Sequence, residues 1–172
     1  LSIQVDNDPG QCGAIVTFGS PTFTDNCSFT VSQNGGSSGD FFEIGVTEIT
    51  WIATDIDDNW TPYSIFIIVN DVEEPTFTGC PNDTILYTSN NNGDDTLQCG
   101  VQYFFPQPDV NDNCPGTTLQ ELGIPSNNFF DVGLTVVSWI ATDTTGNLDT
   151  CSFYVQVVDD RAPVFTFVPQ DI

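Results

Sequence analysis

The sequence predicts an all-β protein built from two tandem β-sandwich modules. Three observations support this prediction: short segments in which apolar and polar residues alternate, turn-forming residues between those segments, and an internal repeat. Alternation with a period of two is the pattern of a strand with one buried face. No segment combines a helical period with helix caps, and short strands at this spacing favour two stacked sheets in each module.

The internal repeat divides the chain into two similar halves. Motifs of the first half recur in the second at an offset of 87 residues and, after one inserted residue, of 88. The clearest pairs are Gln11–Gly13 with Gln98–Gly100, Asp25–Cys27 with Asp112–Cys114, Phe41–Gly45 with Phe129–Gly133, and Trp51–Asp55 with Trp139–Asp143. Self-similarity at a fixed period indicates a repeat architecture. We predict a first module over residues 1–73, whose opening strand a preceding unit would complete, a second over 74–161, and the start of a third over 162–172, as in a head-to-tail array.

Two strands in each module carry an apolar residue at every second position. The residues are Ile49, Trp51 and Ala53 followed by Ile65, Ile67 and Val69 in the first module, and Val137, Trp139 and Ala141 followed by Phe153, Val155 and Val157 in the second. Residues that favour tight turns separate the strands of each pair. Because a tryptophan on a central strand is typical of immunoglobulin-like cores, we interpret Trp51 and Trp139 as core residues rather than ligand platforms.

The composition is that of a folded, strongly acidic protein. Hydrophobic residues make up 39% of the chain, which is enough to form cores, and the net charge is −23, with Arg161 as the single basic residue. Such a surface repels nucleic acid and anionic membranes. Clustered carboxylates and amides are instead the oxygen ligands that Ca²⁺ prefers. No apolar run approaches the roughly 18 residues of a spanning helix, so we predict no membrane insertion.

Seven motifs in a fixed order resemble the hyalin repeat, or HYR, family. They are Cys-Pro, Gln-Cys-Gly, (Thr/Asn)-Asp-Asn-Cys, Phe-Phe-x-(Ile/Val)-Gly, Ala-Thr-Asp-x-x-x-Asn, Cys-Ser-Phe and Val-x-Asp-x-x-x-Pro. The sequence departs from the pattern where Tyr63 occupies the position of Cys151, and where Val168 occupies the position of Cys80. The resemblance implies an immunoglobulin-like module found in tandem in large extracellular adhesion proteins, and it implies no enzymatic activity.

Six cysteines in a chain rich in turn residues predict structural disulfides and an extracellular or cell-surface location. Cys12 and Cys27 are the only cysteines of the first module, so a bond within that module must join them. The repeat then pairs Cys99 with Cys114, and Cys80 with Cys151 remains. A metal–thiolate site is disfavoured because the sequence contains neither Cys-x-x-Cys nor histidine.

Acidic residues of the linker and of two turns are predicted to meet at one pole of a module. Antiparallel strands return these turns to the pole at which the preceding module ends. We predict a Ca²⁺ site formed by Asp71, Glu73, Glu74, Asp112, Asn113, Asp143 and Asn147, and a counterpart between units of the array formed by Asp159, Asp160, Asp25, Asn26, Asp55, Asp57 and Asn59. Irregular sets of six to eight oxygens suit this ion. The alternative is that these residues only form turns and keep a β-protein soluble.

Several surface positions fit glycosylation patterns. Asn26, Asn59 and Asn82 match the N-glycosylation pattern, and Thr84, Thr96 and Thr144 follow aspartate as in a bacterial O-glycosylation pattern. These positions predict a glycoprotein surface.

Together these features predict a structural or adhesive repeat segment of a secreted surface protein or filament, stiffened by disulfides and by Ca²⁺. Its partners would be other copies of the repeat and surface glycans, which exposed aromatic residues would bind. The alternative is a carbohydrate- or protein-binding module that uses Trp60, Tyr103, Phe104 and Phe105. Catalysis is not predicted, since the paired carboxylates fall in repeated turns and the chain has no histidine or lysine.

Overall fold

A computed structural model describes residues 1–90 and 99–165. Across these ranges the regular structure is fourteen β-strands and one short 3-10 helix, Thr88–Asn90, without an α-helix. The all-β prediction is therefore confirmed. None of the described residues forms a helix of the length and apolarity needed to cross a membrane.

The chain folds as two compact units. The first unit contains Leu1–Pro75 together with two short segments from later in the sequence, Asp112–Thr117 and Asp143–Asn147. The second unit contains Thr76–Asn111, Thr118–Thr142 and the chain from Leu148 onward.

The first unit contains a four-stranded and a two-stranded sheet. Its strands are β1 (Ser2–Asp6), β2 (Gly13–Ile15), β3 (Phe29–Asn34), β4 (Phe41–Glu43), β5 (Gly45–Asp55) and β6 (Trp60–Asn70). The larger sheet has the order β1-β6-β5-β3, in which β1 pairs with β6 in parallel and the other pairs are antiparallel, and β2 pairs with β4. Ala14 and Phe42 of the small sheet share a core with residues of β5 and β6. This packing of two sheets is the predicted sandwich.

The second unit repeats this arrangement. Its strands are β7 (Thr76–Thr78), β8 (Thr84–Tyr87), β9 (Gly100–Gln102), β10 (Asp109–Asn111), β11 (Thr118–Leu122), β12 (Phe129–Asp131), β13 (Gly133–Thr142) and β14 (Leu148–Val158). They form a sheet of order β11-β13-β14-β8, with β14 and β8 parallel, and the two-stranded pairs β12-β9 and β10-β7. Val101 and Phe130 of the β12-β9 pair are buried against β13 and β14.

Trp51 and Trp139 are core residues, as the sequence predicts. The exposed fraction is 3% for Trp51 and 1% for Trp139. Each indole N–H donates to a residue on the adjacent strand, Trp51 to Gln33 at 2.9 Å and Trp139 to Glu121 at 3.3 Å. A buried indole needs such an acceptor because an unpaired buried donor is costly. Neither ring is available as a ligand platform.

The disulfides confirm one predicted pair and correct the other two. Cys80 is bonded to Cys151, as predicted. The predicted bonds Cys12–Cys27 and Cys99–Cys114 are wrong, because Cys12 is bonded to Cys114 with a Cα–Cα distance of 4.9 Å. The reason is the placement of segment Asp112–Thr117 in the first unit, which brings Cys114 within bonding distance of Cys12. The two incorrect predictions depend on the assumption that cysteines pair inside each repeat. Cys27 and Cys99 are both exposed and unpaired.

Gly13 has a steric role that a substitution can test. A Cβ atom at Gly13 would overlap the carbonyl oxygen of Phe42 on β4, whereas a Cβ at Gly19 would meet nothing within 4 Å. We expect Gly13→Ala to lower the free energy of unfolding by about 2 kcal/mol or more, because the β2-β4 pair must move apart. Denaturant unfolding measures the change, and Gly19→Ala is the matched control. Equal stability of the two variants would contradict this close approach.

Candidate metal centre

Three aspartates from distant parts of the sequence meet in the first unit. Asp71 follows β6, Asp112 follows β10, and Asp143 follows β13, so each stands at the end of a strand. Single carboxylate oxygens of the three residues all lie within 4.8 Å of one another. Asp71 and Asp143 are each only 7% exposed, and Asp112 is half-buried. The first unit therefore concentrates negative charge at a largely buried position.

Asp71 and Asp112 each use one carboxylate oxygen for hydrogen bonds and leave the other without a donor. Asp71 Oδ1 accepts from the Glu73 N–H and from the Asn113 amide, both at 3.2 Å. Asp112 Oδ2 accepts from the Thr117 hydroxyl at 3.2 Å. Asp71 Oδ2 and Asp112 Oδ1 are buried and have no hydrogen-bond donor among the described residues.

The side-chain amide of Asn113 provides a third buried oxygen that lacks a hydrogen-bond donor within the described residues. Its amide nitrogen donates to Asp71 Oδ1 and, at 3.1 Å, to the carbonyl oxygen of Gln11. Asn113 Oδ1 is buried without a donor in the described part of the chain. Two of the three unsatisfied oxygens thus belong to the clustered carboxylates, and the third belongs to Asn113. Because buried polar atoms are nearly always hydrogen-bonded, these three oxygens require an explanation.

Asp143 is held by the turn that it opens. Its Oδ1 accepts the N–H groups of Thr145, Gly146 and Asn147 at 2.9, 2.6 and 2.8 Å, and its Oδ2 accepts the Thr145 hydroxyl and the Asn147 amide, both at 2.8 Å. Burial raises the pKa of Asp143, but the hydrogen bonds from Thr145, Asn147 and Gly146 outweigh burial and hold the pKa below its ordinary value. The carboxylate is therefore charged at neutral pH.

The donor set of the cluster suits a hard cation. Two unit charges 4 Å apart repel by about 4 kcal/mol at an effective dielectric constant of 20, so three carboxylates in a partly buried cluster need a counter-charge. The sequence has no lysine or histidine that could supply one. Carboxylate and amide oxygens without sulfur or imidazole ligands fit Ca²⁺, which accepts irregular geometry, better than Mg²⁺, which demands an octahedron. These residues thus fit a calcium ion.

A match between this chain and a known domain family identifies the family. The profile of the HYR domain matches residues 2–69 and again residues 70–157. This chain belongs to the HYR family. The resemblance stated from the sequence motifs is confirmed, and the two HYR matches correspond to the two halves of the internal repeat.

Relatives of this HYR chain include two sea-urchin hyalins. Hyalin of Strongylocentrotus purpuratus is 32% identical over 166 residues, and hyalin of Lytechinus variegatus is 30% identical over 155 residues. These alignments cover 90% and 88% of this chain, which spans 13% and 28% of the length of the two hyalins. A crystal structure of human protocadherin-24 EC1-2 aligns over 93% of this chain and 95% of that chain at 14% identity, with a TM-score of 0.33, which is too low to support an argument.

The HYR match, the hyalin relatives and the two disulfides confirm an extracellular or cell-surface location. They also assign the chain to extracellular repeats of the adhesion type.

The HYR chain brings together most, but not all, of the residues predicted for the calcium site. Asn147 borders the cluster and donates to the carbonyl oxygen of Asp71 at 3.2 Å. Glu73 is engaged elsewhere, because both of its carboxylate oxygens accept the Gly10 N–H, at 2.9 and 3.0 Å. Glu74 is exposed and is not part of the cluster. The sequence pattern overlooked Thr117, which orients Asp112, because a lone threonine in a turn carries no metal signal.

The predicted counterpart site requires residues of two successive units of the array and stays a prediction. In the first unit, Asp55 and Asn59 lie at the turn between β5 and β6. Asp25, Asn26 and Asp57 are exposed. The Asn59 amide donates to Asp55 at 2.9 Å, and this bond and the Asn59 N–H lower the pKa of Asp55. In the second unit the exposed Asp159 and Asp160 flank β14 and hydrogen-bond to the short 3-10 helix.

Asp160 is fixed within the second unit by Ser89. The Ser89 hydroxyl donates to Asp160 Oδ2 at 2.6 Å, and this bond lowers the pKa of Asp160. Thr88 donates to both Asp159 and Asp160, at 3.0 and 3.1 Å. Any ion bound by these carboxylates would share them with these hydroxyl groups.

The predicted glycosylation positions differ in accessibility. Asn26, Asn59, Asn82 and Thr144 are exposed. Thr84 is half-buried in β8, where its hydroxyl donates to the Asn82 carbonyl at 3.1 Å. Thr96 lies outside the described residues. Modification of these positions remains a prediction.

The aromatic residues considered for glycan binding divide into two groups. Tyr103 and Phe105 pack against the core of the second unit, and Phe105 makes an edge contact with Trp139 at a centroid distance of 5.6 Å. Trp60 and Phe104 are exposed by 65% and 68%. Tyr103 and Phe105 are therefore not available to stack on a glycan, whereas Trp60 and Phe104 are exposed.

Proposed function

We propose that this HYR chain is a structural or adhesive repeat segment of an extracellular array or filament, stiffened by disulfides and by a calcium ion at Asp71, Asp112, Asn113 and Asp143. Its primary partners are other copies of the repeat. Catalysis forms no part of this function, since the matched family and the hyalin relatives are non-enzymatic repeat modules. The domain boundaries at residues 73 and 161 remain part of the proposal.

The observation that carries the calcium proposal is the set of three buried oxygens that have no donor among residues 1–90 and 99–165. The oxygens are Asp71 Oδ2, Asp112 Oδ1 and Asn113 Oδ1. Asp71 and Asn113 are linked by a hydrogen bond through their other polar atoms, and the second carboxylate oxygen of Asp112 accepts from Thr117. The carboxylate of Asp55 differs, because both of its oxygens accept hydrogen bonds from Asp57 and Asn59. A cation bound by the three oxygens would satisfy all of them at once and neutralise the charge of the carboxylates.

A stiffening role follows from where the ligands lie in the sequence. Asp71, Asp112 and Asp143 are far apart along the chain, so an ion that binds them restrains three segments simultaneously. The Cys12–Cys114 bond fixes the segment that carries Asp112 and Asn113. A covalent bond and an ion therefore act on the same segment, which suits a repeat that transmits force.

Thermal unfolding with and without calcium tests this function. We expect the melting temperature to rise with Ca²⁺ and to fall on addition of a chelator, because an ion that binds only the folded state stabilises it by about 2.7 kcal/mol at a concentration of 100 times Kd. Mg²⁺ at the same ionic strength is the control for non-specific screening and should produce a much smaller rise. Identical melting temperatures and scattering profiles in Ca²⁺ and in chelator would contradict the proposal.

A further inference from the structure

The four cysteines of the repeated motifs are of two kinds. The leading cysteines, Cys12 and Cys99, lie in Gln-Cys-Gly, and the turn cysteines, Cys27 and Cys114, end Asp-Asn-Cys. The disulfide of the first unit joins leading Cys12 to turn Cys114. One cysteine of each kind, Cys27 and Cys99, remains exposed and unpaired.

The backbone presents the two leading cysteines in the same way. The carbonyl oxygen of Cys12 accepts the Ile44 N–H at 3.3 Å, and that of Cys99 accepts the Val132 N–H at 3.0 Å. Each is followed by a glycine in a strand that pairs with a Phe-Phe strand, β2 with β4 and β9 with β12. Cys99 therefore has the local structure in which Cys12 forms its bond.

The two turn cysteines differ in whether a partner segment is present. Cys114 is buried, and the preceding Asn113 donates to the carbonyl of Gln11, the residue next to Cys12. Cys27 and the preceding Asn26 are both exposed. The Asp-Asn-Cys motif is therefore covered by another chain segment at Cys114 and is uncovered at Cys27.

A cavity lies beside the uncovered turn. It has a volume of about 180 Å³, and its lining includes Asp25, Asp55, Asn59 and Trp60. Asn59 is the repeat equivalent of Asn147, whose amide donates to the backbone of Asp71. The turn at Cys27 therefore has open space where its repeat equivalent has a bound chain segment.

We propose that Cys99 of one copy and Cys27 of another form the same disulfide that Cys12 and Cys114 form in this chain. The partner is a second copy of the repeat, because Cys99, Gly100 and Asp159 of the repeat correspond to Cys12, Gly13 and Asp71, which surround the existing bond. Successive bonds of this kind link copies covalently in series. The inference rests on the cysteines and the repeat, and it does not depend on the calcium ion.

The bond forms by thiol–disulfide exchange. The two thiols lose two protons and two electrons as their sulfur–sulfur bond forms, and a small-molecule disulfide such as oxidised glutathione takes up both and is cleaved to two thiols. Both cysteines are exposed and so are accessible to this reaction.

Two single-cysteine variants of the full chain test the pairing. Cys27→Ser keeps only the Cys99 thiol and Cys99→Ser keeps only the Cys27 thiol, and both should melt at the wild-type temperature because these residues are unpaired. The variants, one of them isotope-labelled, are mixed in equal amounts with oxidised glutathione in the presence of a chelator, and cross-linked peptides are quantified by mass spectrometry. We expect the Cys27–Cys99 product to exceed the two symmetric products by about tenfold, because docking raises the effective concentration of the complementary thiols.

Two results would overturn the inference. One is a statistical mixture in which Cys27–Cys27 and Cys99–Cys99 products are as abundant as chance allows. The other is the absence of free thiols in the denatured wild-type monomer, since that outcome means that Cys27 and Cys99 are paired within the chain. A wild-type chain that forms dimers and longer multimers through Cys27–Cys99 supports the inference even if Ca²⁺ does not bind.

Discussion

Asp71→Asn is expected to lower the affinity of the chain for Ca²⁺ by about 100-fold or more, because ligand charge is one of the properties that set Ca²⁺ affinity over several orders of magnitude. Asp71 is central to the cluster, since its Oδ1 accepts the Asn113 amide while its Oδ2 is buried and finds no donor in the described part of the chain. Asparagine has the same shape, so the fold is retained. Isothermal titration with Ca²⁺ measures the change.

The same variant should distinguish the contribution of Asp71 to Ca²⁺ binding from its contribution to the stability of the fold. In chelator, Asp71→Asn should be as stable as the wild-type chain or more so, because it removes one of three mutually repelling carboxylates. In Ca²⁺ it should be less stable. The control is Asp109→Asn, which removes one exposed charge outside the cluster and should behave as wild type. A variant that is destabilised equally in Ca²⁺ and in chelator would show that Asp71 acts only through its hydrogen bonds.

Removal of the Cys80–Cys151 disulfide is expected to cost about 4 kcal/mol, which corresponds to a fall in melting temperature of about 20 °C. The bond closes a loop of 71 residues, and the chain-entropy estimate for a loop of that length is in this range. Cys151 is also part of the core of the second unit. The double variant Cys80→Ala/Cys151→Ala, examined by denaturant unfolding, measures the effect.

The matched control for this variant is Cys27→Ser/Cys99→Ser. It also removes two cysteines, but both are exposed and unpaired, so the stability of the monomer should not change. Equal losses in the two double variants would mean that Cys80–Cys151 is not a specific contributor to stability.

The strands and cores could be predicted because each depends on a local pattern. The alternation around Trp51 and Trp139 places one face of β5 and of β13 in a core, and the repeat predicts that both halves fold alike. The approach of Asp71, Asp112 and Asp143 could also be anticipated, because strand direction determines the pole at which each strand ends.

The partner of Cys12 could not be predicted from the same information. Spacing within one repeat cannot distinguish a bond inside a module from a bond to the next repeat, and Cys12 forms the second kind. The position of Glu73 in an acidic linker predicts a metal ligand, yet Glu73 accepts the N–H of Gly10, a contact that depends on three-dimensional placement. Thr117 was missed for the same reason, since its role depends on its contact with Asp112.

Anomalous scattering from a crystal of this chain grown with Ca²⁺ tests the calcium site most directly. We expect an anomalous peak between Asp71 Oδ2, Asp112 Oδ1 and Asn113 Oδ1, at the 2.3–2.6 Å from each oxygen that calcium ligands adopt. No peak at that position, with the three oxygens turned toward hydrogen-bond donors instead, would contradict it.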